Sequence, residues 1–196
     1  VSADLTYSEG VLYVGTQEGI MHIIDVSSKA PELICEFDAL AAIEANPLVV
    51  DNVVYVGTMG QTVWTLPPGS CEGSVANRQF AYAVDAPVTV APAIVGDIMY
   101  LPEGRFLYAR NLATNEFLWP PGTTAVAEAV ISTPPVVTAD AVYFGSEDGV
   151  VHAVDAQTGE LLWRWNTGLQ VRSALAVVDG VVFVASGDGF VYALGR

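Results

Sequence analysis

The chain has 196 residues, 52% of them hydrophobic and only 15% charged, so it can bury a sizeable core and wholesale disorder is excluded. With 22 acidic against 7 basic residues its formal charge is −15, a field that repels nucleic acid and anionic membrane surfaces. The longest unbroken apolar run is five residues against the ~20 a membrane-spanning helix needs, and two cysteines are too few for a disulfide scaffold or a four-cysteine zinc site.

The chain opens at Val1 with no charged-then-apolar leader, which fits upstream sequence already removed. Asp-Leu-Thr-Tyr-Ser (4–8) is a weak first strand. Val-Leu-Tyr-Val-Gly-Thr (11–16) is a stronger one, and it turns through Gln17 and Glu18 into Gly-Ile-Met-His-Ile-Ile-Asp (19–25). β-branched and aromatic residues bounded by Gly and Asp read as a hairpin, with glycine supplying the turn's positive φ. A further strand carries Cys35 and Phe37. Next come Asn-Pro-Leu-Val-Val (46–50), Val-Val-Tyr-Val-Gly-Thr (53–58), a segment with Trp64, the irregular turn Leu-Pro-Pro-Gly-Ser-Cys-Glu-Gly (66–73), and a strand with Phe80 and Tyr82. The pattern then restarts in Ala-Pro-Ala-Ile-Val (91–95) and Ile-Met-Tyr-Leu (98–101), followed by a segment with Tyr108 and Asn-Leu-Ala-Thr-Asn-Glu-Phe-Leu-Trp (111–119). It restarts again in Thr-Pro-Pro-Val-Val (133–137), Ala-Val-Tyr-Phe-Gly-Ser (141–146), Gly-Val-Val-His-Ala-Val-Asp (149–155) and Leu-Leu-Trp-Arg-Trp (161–165). A last round has Ala-Leu-Ala-Val-Val (174–178), Val-Val-Phe-Val-Ala-Ser (181–186) and Gly-Phe-Val-Tyr-Ala-Leu-Gly (189–195).

The aromatic anchors Tyr13, Tyr55, Tyr100, Tyr143 and Phe183 recur at intervals of 42, 45, 43 and 40 residues, the period of a four-stranded propeller blade. The expected fold is therefore all-β: a single domain over 1–196, a β-propeller of about five four-stranded blades at 1–40, 41–84, 85–122, 123–168 and 169–196. In each blade strand a is the Pro-x-Val-Val segment, b the anchor, c the Gly-to-Asp segment and d the tryptophan strand. The fifth blade lacks its outer d strand. Its c strand, rich in apolar residues and free of Lys and Pro, presents an edge that attracts another strand.

The string from Val142 to Trp163, with its Gly-Ser-Glu-Asp-Gly turn and its Asp-Ala-Gln-Thr-Gly-Glu turn, resembles the repeat of PQQ-type, quinoprotein-dehydrogenase-like β-propellers. The likeness runs through essentially the whole chain and is weakest in blade two, where residues 66–73 replace the Asp-Ala-x-Thr-Gly turn. In that family some members are enzymes that hold pyrroloquinoline quinone and calcium inside eight blades. Others carry no cofactor, such as the propeller lipoprotein of the outer-membrane β-barrel assembly machinery and extracytoplasmic sensor domains of bacterial kinases. Eight blades need roughly 340 residues, and no vicinal cysteine pair is present. The resemblance thus implies no cofactor and a cofactor-free member.

The residues agree. His22, Trp64, Tyr108, His152 and Tyr192 occupy one slot at intervals of 42, 44, 44 and 40, so both histidines are expected to pack as flat rings, not to catalyse. The resemblance implies that Trp119 and Trp163, each the first tryptophan of its strand, dock one blade on the next, with Phe37 and Phe80 or Tyr82 serving blades one and two. The acidic b–c turns (Glu18, Glu147, Asp148, Asp188) lack calcium-loop spacing and read as solvated, leaving no metal site. A candidate ligand site lies at the channel mouth, where Glu44, Asn46, Thr89, Ser132, Thr133, Arg172 and Ser173 precede or begin the a strands; Arg172 ringed by hydroxyls suits a carboxylate or a peptide. Cys35 and Cys71 are either a disulfide between adjacent blades, which fits an oxidising compartment, or two unrelated thiols. With no nucleophile–base pair, phosphate loop or basic surface, the expected function is non-enzymatic. The resemblance implies an extracytoplasmic scaffold or sensor module, periplasmic or on the cell surface. It binds a protein partner or another copy through a blade edge or disc face, contacts no nucleic acid and does not span a membrane. The alternative is part of a larger quinone-dependent dehydrogenase or a small-ligand-binding propeller.

Overall fold

The computed structural model describes residues 5–67, 70–72, 75–76, 79–119 and 125–195. Its regular elements are strands, 21 of them, and the chain divides into two compact units, Val1–Ala91 and Pro92–Arg196.

In the first unit, β1 (Thr6–Ser8), β2 (Val11–Gly15), β3 (Ile20–Asp25) and β4 (Glu32–Asp38) form an antiparallel meander. β5 (Leu48–Val50), β6 (Val53–Thr58) and β7 (Thr62–Leu66) begin a second sheet, which β10 (Gln79–Ala83) completes. Between them the irregular connection forms β8 (Cys71–Glu72) and β9 (Val75–Ala76), a small hairpin that joins the outer edge of β4 through the parallel bridge Glu36↔Val75. The departure from the repeat therefore covers an edge that would otherwise stay open.

In the second unit, β11 (Ala93–Val95), β12 (Ile98–Glu103), β13 (Phe106–Asn111) and β14 (Ala125–Val126) form one sheet. A second consists of β15 (Val136–Val137), β16 (Ala141–Gly145), β17 (Val150–Asp155) and β18 (Leu161–Asn166). β19 (Ala176–Val178), β20 (Val181–Ala185) and β21 (Val191–Leu194) form a three-stranded sheet. The five anchor strands expected from the repeat are β2, β6, β12, β16 and β20. The outer strand of the third sheet differs from the expectation. Among the described residues around Trp119 there is an isolated bridge, Arg110↔Phe117, and the ladder is supplied by Ala125–Val126. Pro120 and Pro121 follow Trp119 directly and have no N–H to donate.

Inner strands alternate buried and half-buried residues, as in β3 and β13, because successive side chains point to opposite faces of the sheet. The core is interblade packing. Phe37 is fully buried edge-on to Trp64 at 5.9 Å, the role expected for it. Trp119 is 4% exposed and donates its indole N–H to the Ala156 carbonyl at 3.1 Å, where the Tyr100 hydroxyl also donates. Trp163 packs against Tyr143 with ring centroids 5.9 Å apart. Tyr82 is buried, while the side chain of Phe80 lies outside the described residues.

Candidate binding sites

The repeat slot is structurally uniform. His22 pairs with Val14, Trp64 with Val56, Tyr108 with Leu101, His152 with Phe144 and Tyr192 with Val184, always on the central b strand. What each ring does there differs. His22 Nδ1 lies 3.0 Å from the Glu36 carboxylate on β4. The Trp64 indole donates to the Ala39 carbonyl at 3.0 Å. His152 is buried and stacks on Phe144, planes 2° apart and centroids 4.9 Å. Tyr192 donates its hydroxyl to Asp188 at 2.5 Å.

The b–c turns hold these rings in place. In blade four the Asp148 carboxylate takes the Ser146 hydroxyl and the Val150 N–H, and Gly149 turns at φ 83°. In blade five Asp188 takes the Phe190 N–H in the same way, and its carboxyl is held below the ordinary carboxylate range chiefly by the Tyr192 hydroxyl. Burial lowers the His152 pKa, with Asp148 and Glu128 opposing and Arg164 adding to the effect. A pocket of about 390 Å³ opens beside His152, walled also by Glu128, Asp148, Arg164 and Asn166. Nothing in the repeat singles it out from sequence, because Glu128 belongs to the loop after β14, outside the repeated segments.

A larger groove, about 550 Å³, runs between β18 and β21 and is lined by Trp163, Trp165, Tyr192 and Leu194. Trp165 is 51% exposed, Phe190 67% and Val191 72%.

Of the residues expected at the channel mouth, Glu44, Asn46 and Thr89 lie in the first unit and Ser132, Thr133, Arg172 and Ser173 in the second. Ser132 and Thr133 come together around Gly145: the Ser132 hydroxyl donates to the Val171 carbonyl, and Thr133, fully buried, accepts the Gly145 N–H at 2.9 Å. Ser173 donates to the Ala185 carbonyl at 2.9 Å. Arg172 is exposed and reaches Glu147 at 3.3 Å. These hydroxyls thus bind backbone, and Arg172 already has a carboxylate. Cys35 on β4 and Cys71 on β8 form a disulfide with a Cα–Cα distance of 5.9 Å. Among the described residues no group of three His, Cys, Asp or Glu is placed to hold a metal, and no helix is long and apolar enough to cross a membrane.

Comparison with known proteins accords with this architecture. The family described as outer membrane protein assembly factor BamB matches residues 1–129 and again 122–195. The serine/threonine-protein kinase AfsK of Streptomyces griseus is 30% identical over 163 residues, which cover 74% of this chain and 18% of the kinase. The chain therefore spans less than a fifth of that relative. BamB from Moraxella catarrhalis superposes with a TM-score of 0.78 at 16% identity, over 98% of this chain and 60% of that one. The computationally designed Ika8 protein superposes at 0.81 with 17% identity, over 98% of this chain and 57% of that one. The likeness to these two structures is one of fold, and the five sheets are blades of a PQQ-like β-propeller.

Proposed function

Since the chain belongs to the family of outer membrane protein assembly factor BamB, we propose that it is a non-enzymatic protein-interaction module that works outside the cytoplasm, as a scaffold or sensor that docks an extended polypeptide segment. The observation that carries this reading is the apolar groove between β18 and β21, lined by Trp163, Trp165, Tyr192 and Leu194. Such a groove takes the alternate side chains of an extended segment. Large aromatic rings in it carry most of an interface's energy. The Cys35–Cys71 disulfide supports an oxidising compartment.

The test places a photo-crosslinking amino acid at Phe190, exposed next to β21, and a control at Gln157, on an exposed turn of blade four, in the natural protein in its own cells. A discrete polypeptide captured at Phe190 and not at Gln157, together with a purified protein free of quinone absorbance and calcium, is the expected result. Bound redox-active quinone, or equal capture at both positions, would overturn the reading.

A further inference from the structure

Blades four and five carry the same b–c turn and the same aspartate, but different rings in the shared slot. In blade five the Tyr192 hydroxyl donates to Asp188 Oδ2, four residues earlier, at 2.5 Å. In blade four the corresponding pair is Asp148 and His152. Asp148 Oδ1 is engaged by the turn, as Asp188 Oδ1 is. Asp148 Oδ2 and His152 Nε2, however, are both buried and both lack a partner, and His152 is only 4% exposed. An imidazole is shorter than a phenol by about the reach of a hydroxyl, and His152 Nε2 makes no hydrogen bond to the carboxylate. Buried polar atoms left unpaired are costly, and two of them on residues that line one pocket call for an occupant.

The first blade shows that the histidine alone does not create this arrangement. His22 fills the same slot, but its ring lies against Glu36 and its turn has Glu18 where blade four has Asp148. The opening beside His152 holds about 390 Å³ and is ringed by Glu128, Asp148, Arg164 and Asn166. That volume is at the small end of ligand pockets. Its walls carry acceptors (Glu128, Asp148), a donor (Arg164, 3.4 Å from Glu128) and the Asn166 amide, whose oxygen accepts the Gly168 N–H, beside the apolar Val150.

We propose that this pocket binds a small polyhydroxylated molecule of about monosaccharide size, one hydroxyl of which stands where the Tyr192 hydroxyl stands in blade five, between Asp148 Oδ2 and His152 Nε2. A hydroxyl both donates to a carboxylate and accepts from a ring N–H, whereas an ammonium only donates. Two carboxylates in the wall disfavour an anion. No described group of three ligating side chains suits a metal ion. Neighbouring hydroxyls on the same molecule find Arg164, Glu128 and Asn166.

The chain has two histidines, so their imidazole C–H resonances give one reporter at the pocket and one internal control. D-glucose is titrated into the full chain and followed by NMR, with ethylammonium chloride as the comparison probe and His22→Gln to assign the signals. The expected result is a saturable shift at His152 with glucose, no shift at His22, and affinity at least tenfold weaker in Asp148→Asn. His152→Tyr, which carries its own hydroxyl into the gap, should abolish glucose binding by calorimetry while keeping the melting transition. If Asp148→Asn does not fold, Asn166→Ala on β18 serves in its place. A shift that is absent, linear or shared equally by His22, a response to ethylammonium and not glucose, or unchanged affinity in the variants would overturn the proposal.

Discussion

At the scale of single residues, His152 is the group whose surroundings most constrain its chemistry. Burial favours the neutral ring, so its folded pKa lies below the ordinary value of about 6.5. The unfolded chain then binds a proton more readily than the folded one. The stability attached to this group is complete above about pH 6.5 and falls as the pH drops from there toward the folded pKa. Chemical denaturation at several pH values should show that slope, and His152→Phe should flatten it. Asp155 acts in a lower window. The backbone N–H groups of Thr158 and Gln157 hold its carboxyl below the ordinary range, so its contribution is present above about pH 3.9 and is lost only as the pH falls through its folded pKa. His152→Tyr should melt at or above the temperature of the natural chain, since the introduced hydroxyl gives Asp148 the partner that Tyr192 gives Asp188.

At the scale of elements, the turns and the blade-to-blade contacts are where substitutions bite. Gly149 sits at φ 83°, and a Cβ there would lie 2.7 Å from the Leu169 carbonyl oxygen on the next connection. Gly149→Ala is expected to destabilise by more than about 2 kcal/mol, through both backbone strain and the clash. Gly96 also has a positive φ, 56°, but faces open space, so Gly96→Ala should cost only about 1 kcal/mol. Equal losses in a denaturant titration would contradict this account. Trp119→Ala should lose about 3–5 kcal/mol, because a fully packed ring and its hydrogen bond to Ala156 disappear together. Trp165→Ala, at a half-exposed position, should change stability by less than about 0.5 kcal/mol. If Trp165→Ala nevertheless reduces capture at Phe190, stability and partner docking are separated. The disulfide closes a loop of 36 residues, for which chain entropy predicts roughly 4 kcal/mol of stabilisation. Replacing both cysteines by alanine should lower the denaturation midpoint accordingly and expose the edge of β4 that the β8–β9 hairpin covers. A midpoint unchanged by reductant would refute that role.

At the scale of the whole molecule, the net charge of −15 dominates. Like charges repel across the surface, and salt screens them over about 10 Å at 0.1 M. The melting temperature should therefore rise with ionic strength over the range where screening develops, against the usual behaviour of a protein held by surface ion pairs. The described pairs that would weaken with salt, Arg164–Glu128 and Arg172–Glu147, are exposed and worth little. A melting temperature that falls with added chloride would show that local pairs outweigh the global field. The same field would draw a cationic polypeptide toward the groove between β18 and β21, so capture there is expected to slow as salt increases.

The all-β architecture, the five anchor strands and the shared ring slot were legible in the amino-acid order, because strand period, turn chemistry and a repeat near 42 residues are local properties that recur. Phe37 and Trp119 as docking rings followed from the resemblance to the repeat family. Four things were decided only in three dimensions. The outer strand of the third sheet moved to Ala125–Val126, because ladder pairing depends on which segment can donate, and the prolines after Trp119 cannot. The irregular loop of blade two became a hairpin on the sheet of its neighbour, tied there by Cys35 and Cys71, a pairing that spacing alone left open. The hydroxyls of Ser132, Thr133 and Ser173 turned to backbone partners. The pocket at His152 arises because Glu128, from a connecting loop, meets four residues of β17 and β18 and Asp148 of the turn between β16 and β17. Sequence records what each strand is; which loop lies against which strand depends on packing between segments distant in the chain, and that is settled only when the core forms.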